Sequence, residues 1–273
     1  MSGSSPLALA VTAAALLLAA CSPASLSERT VAEKPVATSS AVTSASAGAT
    51  VPAEASVPPE PRALPADGKL VFSGDRSVKK VALTFDLCET PNSPAGFDDK
   101  LVGVLISRQV PATFMMGGHW ASTHQSDARL LGSTPFFEIG NHSYAHKHPT
   151  RVSAAAFRDE IELAQRQIEA YAGVTPRVFR FPYGEHDART LGIVKDAHLV
   201  PIQWNVETGD PDRNVSAADI VRVVKQQTRN GSIVIMHANG RGWHTAEALP
   251  EVVSWLRGQG YELVTVSDLL APP

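Results

Sequence analysis

Two histidines, His142 and His146, stand four residues apart in the segment Gly140-Asn141-His142-Ser143-Tyr144-Ala145-His146. Neutral imidazoles are common metal ligands. Four further segments carry reactive side chains: Thr84-Phe85-Asp86-Leu87-Cys88-Glu89, Arg180-Phe181-Pro182-Tyr183-Gly184, Trp204 to Asp210, and Ile235-Met236-His237. Carboxylates and imidazoles are the groups that move protons or bind metals in hydrolytic sites. Each segment alone also has an ordinary reading. Spaced histidines are often just solvated, Asp86 could cap a helix, and Arg180 could sit in an exposed ion pair of little worth. His237, closing an apolar run, could be a core histidine. Their common placement matters more: each lies at or just after a run of strand character.

The elements that must position them alternate. Strand-like runs are read at 80–86, 112–117, 136–140, 178–182, 201–207, 233–237 and 261–266. Helical spacing appears in 153–173, where Phe157, Ile161, Ala164, Ile168 and Tyr171 share a face, with Ser153 as N-cap and Gly173 just past the end. A second helix over 216–230 opens Ser-x-x-Asp, a capping-box start, and lines up Ile220, Val223, Val224 and Gln227. A third covers 246–257, with Pro250 near its first turn. Seven strands alternating with helices predict an α/β fold with a parallel sheet, open or closed into a barrel. Chemistry in either architecture lies beyond the strand C-termini.

The composition is uneven along the chain. Of 273 residues, 44% are hydrophobic and 19% charged, which excludes a wholly disordered or fibrous chain. The net charge of −3 offers no footprint for nucleic acid, and two cysteines, Cys21 and Cys88, cannot make a disulfide framework. Residues 7–20 form an apolar run too short to span a bilayer but suited to a signal peptide. Its end, Leu18-Ala19-Ala20-Cys21, resembles the lipobox of bacterial lipoproteins, which implies a lipid on Cys21 and a membrane as partner. Residues 22–68 contain no aromatic side chain and are rich in Pro, Ala, Ser and Thr, so 21–68 reads as a lipidated, disordered tether. The expected organisation is a 1–20 leader, this tether, and one catalytic domain over 69–273. The protein would then be exported and anchored, facing the periplasm or the cell exterior.

The five segments, in order, resemble the motifs of the polysaccharide deacetylase family (the NodB-homology domain, carbohydrate esterase family 4): TFDDG, H[ST]xxH, RxPY, DxxDW and LxH. His142-Ser143-Tyr144-Ala145-His146 and Arg180-Phe181-Pro182-Tyr183 match outright, and Ile235-Met236-His237 matches in kind. The resemblance covers about residues 79–270. It implies a distorted (β/α)7 barrel with a divalent metal, zinc first and cobalt or manganese as alternatives, and an acetylated glycan as substrate. It implies no nucleic acid and no obligate protein partner. By the same resemblance His142 and His146 are metal ligands and Asp86 is the general base, held ionised by Arg180. The backbone N–H of Tyr183 would stabilise the oxyanion, and His237, set by Asp210, would protonate the leaving amine.

Two positions depart from the family pattern. The second Asp of the first motif, the usual third metal ligand, is Leu87, which cannot bind a cation. Glu89 is the first expected substitute, Asp86 the second and Cys88 the third; a thiolate would favour zinc. In the fourth motif Glu207 and Asp210 stand for the two Asp residues and Pro211 replaces Trp. His148 is a minor candidate for a supporting role, and Trp243 could line a sugar cleft. Three functions follow: a metal-dependent N-deacetylase, a non-catalytic glycan-binding lipoprotein on a decayed barrel, or an O-acetyl esterase with the same site.

Overall fold

The computed structural model describes residues 63–272 apart from 66, 91 and 93. The expected leader, Cys21 and nearly all of the tether lie outside the described residues. Eight strands pair in parallel: β1 (Lys80–Leu87), β2 (Ala112–Met116), β3 (Phe137–Asn141), β4 (Val178–Phe179), β5 (Val200–Pro201), β6 (Val206–Glu207), β7 (Ser232–His237) and β8 (Glu262–Val264). They run in the order β5-β4-β3-β2-β1-β7-β6, with β8 beside the first residues of β1. The helices are α1 (Asp99–Ser107), α2 (Gly118–Thr123), α3 (Gln125–Ser133), α4 (Ala154–Ala172), α5 (Ala188–Asp196), α6 (Ala217–Gln227), α7 (Thr245–Gly258) and α8 (Val266–Leu270). This is the distorted (β/α)7 barrel expected from the motifs. No helix among the described residues is long and apolar enough to cross a membrane.

The sheet ends on β5 and β6, and a strap of chain ahead of β1 links its two sides. Val71 bridges Ile202 just past β5, and Ser73 bridges Ser232 at the start of β7. The Val71 N–H donates to the Pro201 carbonyl at 3.0 Å, and the Gln203 N–H donates to the Val71 carbonyl at 2.7 Å.

Strand alternation in β1 decides what reaches the site. Val81, Leu83, Phe85 and Leu87 point into the large core packed under the helices, with Leu101, Trp120 and Leu249. Ala82 points the other way, into the smaller cluster with Met115, Ile233 and Val264. Thr84 and Asp86 continue that second face, so Asp86 ends the strand at the mouth of the barrel. Leu87 is fully buried; burying such a side chain stabilises by about 1.5–3 kcal/mol.

The local reading succeeds where a helix has a cap. Ser153 accepts from the Ala156 N–H ahead of α4, and Gly173 ends it with φ +73°. Ser216 and Asp219 form the capping box of α6. Pro250, by contrast, lies inside α7, past its first turn. The run at 201–207 is not one strand. The Gln203 N–H turns aside to Val71 and the Asn205 N–H to Ile233, so two short strands result. The last run stops at Val264 because Thr265 accepts from the Asp268 N–H and starts α8.

Candidate functional site

The site assembles at the C-terminal ends of β1, β3, β4 and β7. Asp86 is buried, and its Oδ1 accepts from Arg180 Nη1 at 2.7 Å. Arg180 has no exposed surface; its Nη2 donates to Thr84 Oγ1 at 2.8 Å, and its guanidinium lies 5.5 Å from the Trp204 ring centre. Burial would raise the Asp86 pKa. The charge of Arg180 beside it outweighs burial and holds the carboxyl below the usual range, so Asp86 is ionised.

His142 and His146 face each other with ring centres 4.9 Å apart. The loop carrying them is fixed from beneath: Asn141 Oδ1 accepts from the Ser143 N–H, and Glu160 accepts from the Ala145 N–H. Ser143 and His146 take positive φ, 63° and 51°, the strain of a tight turn held by those bonds. His142 Nδ1 faces the Arg180 carbonyl oxygen at 2.9 Å, which can only accept. The proton therefore sits on Nδ1, and Nε2 presents its lone pair. That Nε2 is buried without a hydrogen-bond partner, 3.4 Å from Asp86 Oδ2. Burial keeps both rings neutral, and with the neighbouring His142 it takes His146 down to about 3. Neutral, inward-facing imidazoles with an orphaned nitrogen fit a cation.

Glu89, the first expected third ligand, is held elsewhere. Its Oε2 accepts from the Ala95 N–H at 2.9 Å, and its Oε1 takes His119 Nδ1 at 2.8 Å and the Thr123 hydroxyl. This carboxylate ties the loop after β1 to α2 and has no place in the histidine pair. Among the described residues, the ligand atoms lying within 4.8 Å of one another are those of Cys88, His142 and His146. Cys88, just past β1, lines the cleft with Asp86, whereas Leu87 leads into the core. Burial and the Asp86 charge push the Cys88 thiol up to about 12, so without a cation it is protonated.

Across the cleft, His237 Nδ1 meets Asp210 Oδ1 at 2.9 Å, while Asp210 Oδ2 accepts from the His237 N–H and the Thr245 hydroxyl, each at 2.7 Å. Burial favours neutral His237; the hydrogen bond and charge of Asp210, with Asp86 behind it, outweigh this and raise its pKa. Gly242 lets the loop close over the pair. A Cβ there would lie 2.4 Å from the His237 carbonyl oxygen and 2.8 Å from Asp210 Oδ2. Tyr183 sits in the left-handed region at φ 58°, its ring stacked 4.0 Å from that of His148, which in turn meets Glu185.

Asp86, Cys88, His146, Tyr183 and His237 line a cleft of about 300 Å³. Glu207 and Pro211 sit on its wall. Trp204, the first residue of the fourth segment, is there too, with Asn239 and Arg241, which motif reading did not single out. Their signal was positional, since each follows a strand end. Trp243 is not among the lining residues and carries the Arg213 guanidinium 3.9 Å from its ring centre.

The fold and site together define an open parallel barrel with an acid–base cleft over its strand ends. The family model for polysaccharide deacetylase matches residues 73–202. A solved structure described as the T48 deacetylase with substrate is 31% identical, with a TM-score of 0.60 over 71% of this chain and 91% of that one. The chain belongs to the polysaccharide deacetylase family. It is 28% identical over 200 residues to the peptidoglycan-N-acetylglucosamine deacetylase of Bacillus cereus, covering 72% of this chain and 70% of that enzyme. It is also similar to a CE4 family pseudoenzyme from Bacillus anthracis, at 27% identity and a TM-score of 0.67 over 75% of this chain and 69% of that one. Against one further curated relative, matched over 172 residues, the chain spans about half (52%) of the length.

Proposed function

We propose that the protein is a hydrolase that removes N-acetyl groups from amino sugars of a cell-envelope glycan, peptidoglycan or a chitin-like polymer, with a divalent cation at His142 and His146. One observation carries this reading: Asp86, backed by Arg180, and His237, backed by Asp210, line one cleft together with His146. A cation there, zinc first and cobalt or manganese as alternatives, supplies polarisation of the acetamide carbonyl and a more acidic water. His142 and His146 hold it, with Cys88 in reach. Asp86 takes the proton of the attacking water, and Arg180 keeps it charged and oriented. The Tyr183 backbone N–H faces the oxyanion of the tetrahedral intermediate. His237 gives its Nε2 proton to the departing amine, and Asp210 keeps Nδ1–H in place. The name of the Bacillus cereus relative supports peptidoglycan as the polymer.

Acetate release from N-acetylglucosamine oligomers and from peptidoglycan tests this. The chelator-stripped protein should be inactive and regain activity with zinc, cobalt or manganese. A folded protein that binds the oligomers and releases no acetate with any of them would favour the second reading, a non-catalytic glycan binder. That reading is supported by Leu87, buried where the family has a ligand, and by the likeness to a pseudoenzyme.

The proposal includes export and a lipid on Cys21, supported by the Leu-Ala-Ala-Cys run and the tether composition. Cys21→Ser should release the protein from membranes; a variant that still partitions with them would refute the anchor.

A further inference from the structure

We infer that Cys88 replaces the missing carboxylate ligand, so that its sulfur and the imidazoles of His142 and His146 form an N2S cation site. The inference rests on the reading of the two histidines as metal ligands given above, and it concerns which atom completes the set.

Four observations converge. The three ligand atoms lie within 4.8 Å of one another. The His142 Nε2 lone pair is buried beside them and unpartnered, an independent sign that something electrophilic belongs there. Glu89 is committed to Ala95, His119 and Thr123, and Asp86 gives Oδ1 to Arg180 while its Oδ2, 3.4 Å from His142 Nε2, is not in the set of mutually close ligand atoms that Cys88 completes. Finally, the backbone at Cys88 is clamped from both sides. The Gly117 N–H donates to the Leu87 carbonyl at 2.7 Å. The Asn239 carboxamide donates to the Cys88 carbonyl at 2.8 Å and approaches its sulfur at 3.6 Å. Asn239 is itself buried, and its oxygen accepts from the Arg241 N–H. It is a positioning residue for the sulfur.

The chemistry has a selective consequence. Thiolate is softer than carboxylate, so an N2S set favours zinc or cobalt over manganese or magnesium. An aspartate in the same place would discriminate less. The inference gives a physical reason for the lost carboxylate at position 87: the ligand has moved one residue along, to Cys88 just past β1, which lines the cleft with Asp86.

Cobalt(II) alone is the probe. Titrated into the chelator-stripped 273-residue chain, it should bind one equivalent and produce the near-ultraviolet sulfur-to-cobalt charge-transfer absorption that nitrogen and oxygen ligands do not give. Cys21 and Cys88 are the only thiols of the chain, so the band should survive Cys21→Ser and vanish in Cys88→Ser. Cys88→Asp should bind cobalt without the band. Should Cys88→Ser fail to fold, the Cys21→Ser protein, with Cys88 as its single thiol, decides the question alone. Stoichiometric cobalt without the band, a band that survives Cys88→Ser, or no cobalt binding overturns the inference. No substrate enters the measurement. A protein with the band that releases no acetate would keep the N2S site and sink the deacetylase reading, and metal-dependent acetate release without the band would do the reverse.

Discussion

Asp86 is asked to be buried and charged at once, and Arg180 makes that possible. Asp86→Asn removes the base and also leaves a fully buried guanidinium without its counter-charge. We expect the cation to stay, turnover to fall by about 10²–10⁴-fold, and stability to drop by about 3–5 kcal/mol; metal analysis, acetate release and a melting curve report the three effects. Loss of the cation would instead make Asp86 a ligand. His237→Ala should cost about 10²–10⁴-fold on an acetamide but far less on an aryl acetate, whose oxygen leaves without being protonated. Equal losses on both would count against His237 as the acid. Most of these residues were legible because each lies at a strand end in a known order. The ranking of Glu89 weighed charge and reach; its bonds to His119 and Thr123 depend on tertiary contacts with α2 that no local pattern announces.

At the scale of elements, Glu89 joins the loop after β1 to α2. Glu89→Ala leaves the Ala95 N–H without its acceptor and should destabilise by about 1–3 kcal/mol while cobalt binding is unchanged; a parallel loss of cobalt would return Glu89 to the metal site. Gly242 is the matching device on the other wall. Gly242→Ala forces backbone apart beneath the Asp210–His237 pair, which should cost about 1–3 kcal/mol and depress kcat, as calorimetry and acetate release would show. The long helices were readable because α4 and α6 announce themselves with caps and a full apolar stripe. The shorter α1, α2, α3 and α5 were not read, although Asp98 and Asp187 cap two of them. They pack by tertiary contact over only two or three turns, too few for periodicity to stand out. The single expected strand over 201–207 failed for the opposite reason: its residues have strand character, but its backbone partners lie on the strap and on β7.

The whole molecule carries a pH signature through the same imidazoles. An unfolded chain protonates His146 below about 6.5, the folded one only near 3. Between those values the unfolded state binds more protons, so stability falls as pH is lowered, by up to a few kcal/mol in order of magnitude. His142 acts in the same sense. His237, with its raised pKa, acts in the opposite sense, contributing stability below 6.5 that is lost as pH rises through its folded value. Melting the metal-free protein across pH 4–7 should give a falling midpoint toward acid, and His146→Ala should flatten that slope. A slope unchanged by the substitution would remove His146 as its source.

The strap at Val71 and Ser73 also decides where mechanical force enters the barrel. Any pull on the chain ahead of residue 71 enters the domain through the bonds to Pro201 and Gln203 before it reaches β1. Because the strap grips chain on both sides of the sheet's gap, tension is shared between regions far apart in sequence rather than peeling a single edge. One end of that grip lies close to the cleft: Gln203, just past β5, also accepts from Arg180 Nη2 through its carbonyl at 3.4 Å. A tug on the N-terminal side therefore works first on the strap and passes next to Gln203, one step from the Arg180 that holds Asp86.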